Sequence, residues 1–245
     1  MTWDGDTTTI HHRDENSLSD FINTTGGLLG DTRLMFRYLL YNDGQGSGRR
    51  LFFGGGLVFP SKNTITSDPF FLNGEEKTEH RHFSISEGAY KALAEIQIFK
   101  KRSSNPVFYG LVGNVEVPLS ESRYEFMPGI SYSCNISVLY NNKKYDSEKN
   151  LNLIPIGFPL GLSFIGLTEA SWHEVPTPNS ESQILVPSIG AIWKLGEGSI
   201  SISLQKPIFI SGQIGSDDNP LNNKANAFEI VFGYRRNLGY MIPWL

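Results

Sequence analysis

A chain of 245 residues that is 39% hydrophobic, with 25 acidic against 21 basic side chains, suits one large β domain or two small ones. Its formal charge of −4 offers no basic field for nucleic acid. No run reaches the ~18 apolar residues of a membrane helix, a test that strand-built membrane proteins escape because half of each strand faces a wet interior.

Residues 1–30 are rich in Thr, Asp, Asn and Gly, show no alternation, and read as an N-terminal loop ahead of a β domain over 31–245. Met1-Thr-Trp-Asp-Gly-Asp lacks the basic start, apolar stretch and cleavage site of a secretory signal. A soluble cytoplasmic protein would also lack one; the alternatives are a mature form or a chain that begins inside a longer one.

From Thr32 onward the pattern has period two, the mark of strands whose side chains point alternately to opposite faces. Thr32–Tyr41 sets Leu34, Phe36, Tyr38 and Leu40 against Arg33, Met35, Arg37 and Leu39. Arg50–Val58 places Leu51, Phe53 and Leu57 opposite Gly54 and Gly56; no Lys-Ser/Thr or helical pattern follows these glycines, so close backbone approach explains them better than a phosphate loop. Ala89–Lys100 and Val107–Leu119 alternate likewise. Tyr124–Tyr140 is the longest case, with Tyr124, Phe126, Ile130, Tyr132, Cys134, Ile136, Val138 and Tyr140 against mostly small polar residues. Its length suits the ~9–11 residues of a membrane-crossing strand, and its terminal tyrosines suit an aromatic girdle. Cys134, the single cysteine, excludes an intramolecular disulfide and reads as a small hydrophobe. Leu151–Thr168, Gln183–Leu195, Ser199–Ile210 and Ala227–Arg236 complete nine predicted strands.

The connections sort by length. The turns 42–49, 101–106, 141–150 and 196–198 fall at one end, and the long loops 59–88, 169–182 and 211–225 fall at the other with residues 1–30 and the brief 120–123. Short periplasmic turns and long outer loops characterise antiparallel up-and-down outer-membrane β-barrels. Nine strands with both ends fixed in this way predict a barrel of about 10–12 strands, with an odd number of strands supplied before residue 1 or one within residues 1–30.

Gly30-Asp-Thr-Arg-Leu-Met-Phe-Arg-Tyr38, Gly54-Gly-Gly-Leu-Val-Phe-Pro-Ser-Lys62 and Asp68-Pro-Phe-Phe71 resemble the outer-membrane barrel transporters related to the phenol-degradation meta-pathway family. There a glycine-aspartate pair opens a strand and a G-x-x-x-P-x-G/S strand end precedes a long loop. The motifs cover Gly30 to Lys62; beyond them only the architecture is similar. The resemblance implies a channel or transporter for small molecules. The chain departs from the usual terminal aromatic strand end, because alternation stops at Tyr234 and Asn237–Leu245 trails on.

By parity Arg33, Arg37, Lys91, Glu95, Glu116, Glu125, Glu229 and Arg235 face the interior. Charges in a barrel wall must pair or be wet, so the interior is either a mixed-charge pore or a plug of ion pairs. The loop histidines His80, His82 and His173 suit a transition metal if they converge, or are simply solvated. No Gly-x-Ser-x-Gly elbow accompanies them, and neither an enzyme nor a cofactor is expected. The sequence therefore predicts a bacterial outer-membrane passage for a small solute or ion, with membrane lipid and the barrel-assembly machinery as partners. The alternatives are a soluble secreted lipocalin-like barrel or sandwich that binds a small ligand, and an outer-membrane metal receptor.

Overall fold

The structure, a computed structural model, describes residues 24–25, 29–44, 46–68, 84–144, 153–177, 180–212 and 227–236. Most of these residues lie in one antiparallel sheet. Its strands are β1 (Thr32–Asn42), β2 (Gly48–Phe59), β3 (Lys91–Lys101), β4 (Phe108–Pro118), β5 (Ser131–Asn141), β6 (Gly157–Leu167), β7 (Ser182–Leu195), β8 (Gly198–Gln205), β9 (Ile208–Ser211) and β10 (Glu229–Arg236). Each pairs with its sequence neighbours in an up-and-down meander; β8 and β9 are two parts of one strand position beside β7. Pro207, which has no N–H to give the ladder, lies at the break, where the Lys206 amide still donates to the Pro187 carbonyl at 3.2 Å.

Alternation sets the two faces throughout. In one continuous row, Arg37 pairs with Gly54, Gly54 with Glu95, Glu95 with Asn114, and Asn114 with Ser133. A neighbouring row on the other face runs Tyr38, Phe53, Ile96, Gly113, Cys134 and Phe164. The hydrocarbon-bearing face is the open one: Phe36, Tyr38, Phe53, Ile96, Ile136, Leu160, Ile189, Ile202 and Phe232 are all exposed. On β3 the exposed Ile96 and Ile98 alternate with the buried Lys91, Leu93 and Glu95 further toward its start.

A single sheet can bury one face only by curling round it. Arg33 on β1 reaches Glu116 on β4 at 2.9 Å, across three interstrand steps that would span roughly 14 Å if flat. The sheet therefore curves toward its polar face. It does not close among the described residues, for β1 and β10 have no strand beyond them.

The expected strands are present, with two interruptions and one late start: of the strand expected over Leu151–Thr168, residues 153–156 lie outside the ladder and β6 begins at Gly157. Tyr124–Tyr140 does not run as one strand: Pro128 and Gly129 separate β5 from a two-residue ladder at Phe126–Met127. Ser199–Ile210 breaks at Pro207. Short turns join the strands at one end. In the Gly196-Glu197 hairpin, Gly196 takes φ 56°, the positive value favoured at the first position of a two-residue II′ turn. In the β1–β2 turn, Asp43 accepts from the Tyr41 hydroxyl and the Arg49 amide. Those two bonds hold the Asp43 carboxyl below the ordinary carboxylate range, the tyrosine contributing most.

At the other end the connections fold into a cap. Phe126–Met127, Ser171–Trp172 and Val175–Pro176 form a small three-stranded sheet. Thr64–Ile65 pairs with Thr24–Thr25 and bridges Ser86. Trp172 is only 3% exposed and its ring lies 4.9 Å from that of Phe126, so connections far apart in sequence share one core.

Candidate functional site

The candidate site is a group of ion pairs on the polar face, beginning beneath the cap. Arg37 donates from Nε and Nη2 to the two carboxylate oxygens of Glu95 at 2.6 and 3.0 Å, a bidentate pair. The Glu95 side chain is 8% exposed and that of Arg37 45%. Nearer the cap, Arg33 pairs with Glu116 at 2.9 Å, Lys91 stands 4.0 Å from the same carboxylate, and Lys91 also pairs with Glu87. Three cations thus meet three carboxylates across β1, β3, β4 and the residue stretch just before β3.

Glycine makes the reach possible. β2 lies between Arg37 and Glu95, and its residue in that row is Gly54. A Cβ there would lie 3.3 Å from both Glu95 Cβ and Oε1, so a larger side chain would occupy the path of the guanidinium. Gly56 is tighter: its Cβ would fall 2.1 Å from the Leu34 carbonyl oxygen. Gly56→Ala is therefore expected to push β1 from β2, costing about 1–3 kcal/mol of unfolding free energy as an overpacking change. Gly55→Ala, whose nearest neighbour is the Leu93 carbonyl at an ordinary 3.7 Å, should cost much less. Denaturant unfolding of the two variants checks this, and equal losses would contradict the close approach.

Beyond β4 the polar face changes from charge to amides and hydroxyls. Asn114 donates to Ser133 at 3.4 Å and Asn135 to Ser163 at 2.6 Å. Ser137, Ser188, Ser201 and Ser203 continue the lining toward β8 in the same registers.

Five of the eight predicted interior charges, Arg33, Arg37, Lys91, Glu95 and Glu116, are brought together. Glu229 and Arg235 occupy the same face on β10, opposite Gln205 and Ser199, at the far edge of the sheet. Glu125 stands outside the sheet, in a turn with φ 63°, because the strand expected through it is interrupted at Pro128–Gly129. There it pairs with His173 Nδ1, and the His173 amide donates to the Glu125 carbonyl. His173 is thus tied to Glu125, and the described residues contain no group of three His, Cys, Asp or Glu able to hold a metal. His80 and His82 lie outside the described residues.

Glu87 was not among the expected residues. It lies outside any alternating segment, and only its four-residue spacing from Lys91 hints at the pair. Phe126 and Trp172 carry no periodic signal for their shared role in the cap.

Comparison with known proteins gives no match to any family model, curated protein or solved structure. No match therefore bears on the resemblance to the meta-pathway barrel proteins expected from the motifs between Gly30 and Lys62.

Proposed function

We propose that this chain is part of an outer-membrane β-barrel that passes a small solute or ion through a narrow, mixed-charge interior, with lipid against its outer face and the barrel-assembly machinery acting in its insertion. The supporting observation is the inversion of the two faces. A sheet in a soluble protein packs its hydrocarbon face onto a core and leaves the polar face to water. This sheet exposes isoleucine, leucine and aromatic side chains along its whole width and curls round arginine, lysine, glutamate, asparagine and serine. Exposed apolar area of that extent calls for a nonaqueous neighbour, and a closed barrel satisfies backbone groups that no water can reach in lipid.

Topology agrees with a larger circuit. Nine alternating strand positions leave β1 and β10 running in the same direction, so closure with antiparallel pairs requires an odd number of further strands. The expected total of 10–12 exceeds the ~8 strands whose side chains fill a barrel and is smaller than the ~16 that enclose a broad channel. The cap over one end and the ion pairs beneath it narrow the passage further.

Conductance in planar lipid bilayers tests the reading. The native interior group balances three cations against three carboxylates. With Arg33→Gln and Arg37→Gln together, Glu95, Glu116 and Glu87 outnumber Lys91, and the reversal potential is expected to move toward cation selectivity. Unitary conductance should rise, because the arginine side chains no longer bridge strands across the interior. Absence of channels in both proteins, together with full solubility without detergent and migration unaffected by heating, would instead favour a soluble ligand-binding barrel.

A further inference from the structure

The two ends of the sheet carry opposite charge. At the turn end, the described turns and the outermost three residues of each strand position hold ten Lys and Arg against two acidic residues, Asp43 and Glu197. At the cap end, the described connections and the outermost three strand residues hold four basic and ten acidic side chains.

On the outer face the basic end has a definite focus. Arg49 on β2 stands in register with Lys100 on β3, and Lys100 with Tyr109 on β4. Lys100 is exposed and meets no carboxylate among the described residues. The Arg49 side chain, 65% exposed, lies 3.5 Å from Asp43, and its guanidinium stands 5.7 Å from the centre of the Tyr41 ring. Arg102, just past β3, stands 5.8 Å from the centre of the Tyr109 ring and donates to its hydroxyl at 3.1 Å. Three cations and two tyrosines thus border one patch, with a single carboxylate at its margin.

The row directly beneath is hydrocarbon. Two residues further into the sheet, the same face carries Leu51, Ile98 and Leu111, and Ile98 is exposed. Basic side chains with their stems along apolar surface, flanked by tyrosines, suit the boundary between headgroups and acyl chains. A soluble anion would satisfy the cations alone, and an acidic protein surface would leave the hydrocarbon beneath them unmatched. A ligand with an anionic head and fatty tails matches both rows.

We infer that Lys100, Arg49 and Arg102 bind the phosphate headgroup of an anionic phospholipid whose acyl chains lie on Leu51, Ile98 and Leu111. The inference deepens the proposed passage, on which it rests for the lipid around the sheet, and it seats the turn end in the leaflet that supplies such lipid. Each basic residue near an anionic headgroup layer strengthens attachment about fivefold, and salt screens that attraction.

The test uses the full chain in detergent, with native mass spectrometry counting the lipid bound as dioleoylphosphatidylglycerol or dioleoylphosphatidylcholine is added. A saturable site is expected for phosphatidylglycerol, about tenfold or more tighter than for phosphatidylcholine at low salt, and the difference should shrink at high salt. This comparison is made on the unaltered chain, so it stands whether or not any variant folds. Lys100→Gln with Arg49→Gln should weaken phosphatidylglycerol about 25-fold and leave phosphatidylcholine unchanged. Lys194→Gln, at the same end but on the polar face opposite Ser199, should alter neither. Excess inorganic phosphate should not displace the lipid, since it makes none of the acyl contacts. Equal binding of the two lipids would overturn the inference. So would a preference that survives the double substitution or falls equally with Lys194→Gln, and so would displacement by inorganic phosphate. Heat-modifiable protein recovered from pure phosphatidylcholine vesicles, with no preference between the lipids, would remove this site and leave the barrel standing. Full solubility without detergent and migration unaffected by heating would remove both.

Discussion

Ile136→Arg is expected to prevent recovery of folded, heat-modifiable protein from lipid vesicles, whereas Ser137→Arg is expected to fold. Ile136 lies at the middle of β5 on the open apolar face, opposite Leu111 and Leu162. Ser137 lies on the polar face between Gly110 and Gly161, where the neighbouring strands offer the least side-chain bulk. An arginine at the bilayer midplane of a barrel costs about 2–4 kcal/mol. At an exposed position in water the same substitution stays within about 0.5 kcal/mol of neutral. The size of the effect therefore separates a lipid-facing sheet from a water-facing one. Denaturant titration in vesicles of defined thickness measures it. A neutral Ile136→Arg would sink the membrane reading, and a Ser137→Arg as damaging as Ile136→Arg would sink the assignment of faces. Ile202→Arg and Ser201→Arg repeat the comparison on β8.

The second large effect concerns Arg37 and Glu95, whose exposures are unequal. Arg37→Ala leaves the Glu95 carboxylate, 8% exposed, without its bidentate partner. Removing one member of a fully buried pair costs about 3–5 kcal/mol. Arg37 is itself 45% exposed, and solvent screening reduces the expected loss to about 2 kcal/mol. Glu95→Gln should be milder, about 1 kcal/mol, because the freed guanidinium can turn toward water and the amide oxygen still accepts one bond. Glu95→Leu combined with Arg37→Met should recover most of the loss, since an apolar pair strands no charge. Equilibrium unfolding of these variants gives the ordering, and equal losses from the two single changes would show that burial of the carboxylate is not what makes the pair matter.

Much of the sheet was legible because period-two alternation records face directly. Arg33, Arg37, Lys91, Glu95 and Glu116 could be assigned to one side without knowing which strands touch. Their pairing could not be read, since Arg37 finds Glu95 across a glycine and 58 residues of chain. The two strand interruptions escaped for a related reason. Parity continues through Pro128–Gly129 and through Lys206–Pro207, so side-chain order persists where ladder bonds do not. Glu125 was misplaced by that continuity: it keeps the phase of an interior residue but sits in a turn beside His173. The cap left the weakest trace. Phe126, Trp172 and Thr177 meet through contacts between separate connections, and no repeating spacing encodes such a meeting.

The meander also fixes how this architecture can change over evolutionary time. Every long strand borders only its predecessor and successor, so the natural unit of gain or loss is a complete hairpin. β5 and β6, which contribute amides and hydroxyls but none of the clustered charges, form one such unit; its excision would bring β4 alongside β7 with the directions of all remaining strands preserved. The number of strands could thus fall or rise in steps of two while the ion pairs of β1–β4 were inherited intact. Loss of a single strand would reverse the sense of everything after it and carry cap segments to the opposite end. Lineages of such proteins are therefore expected to differ in strand number by even steps and to retain their charged sector longest.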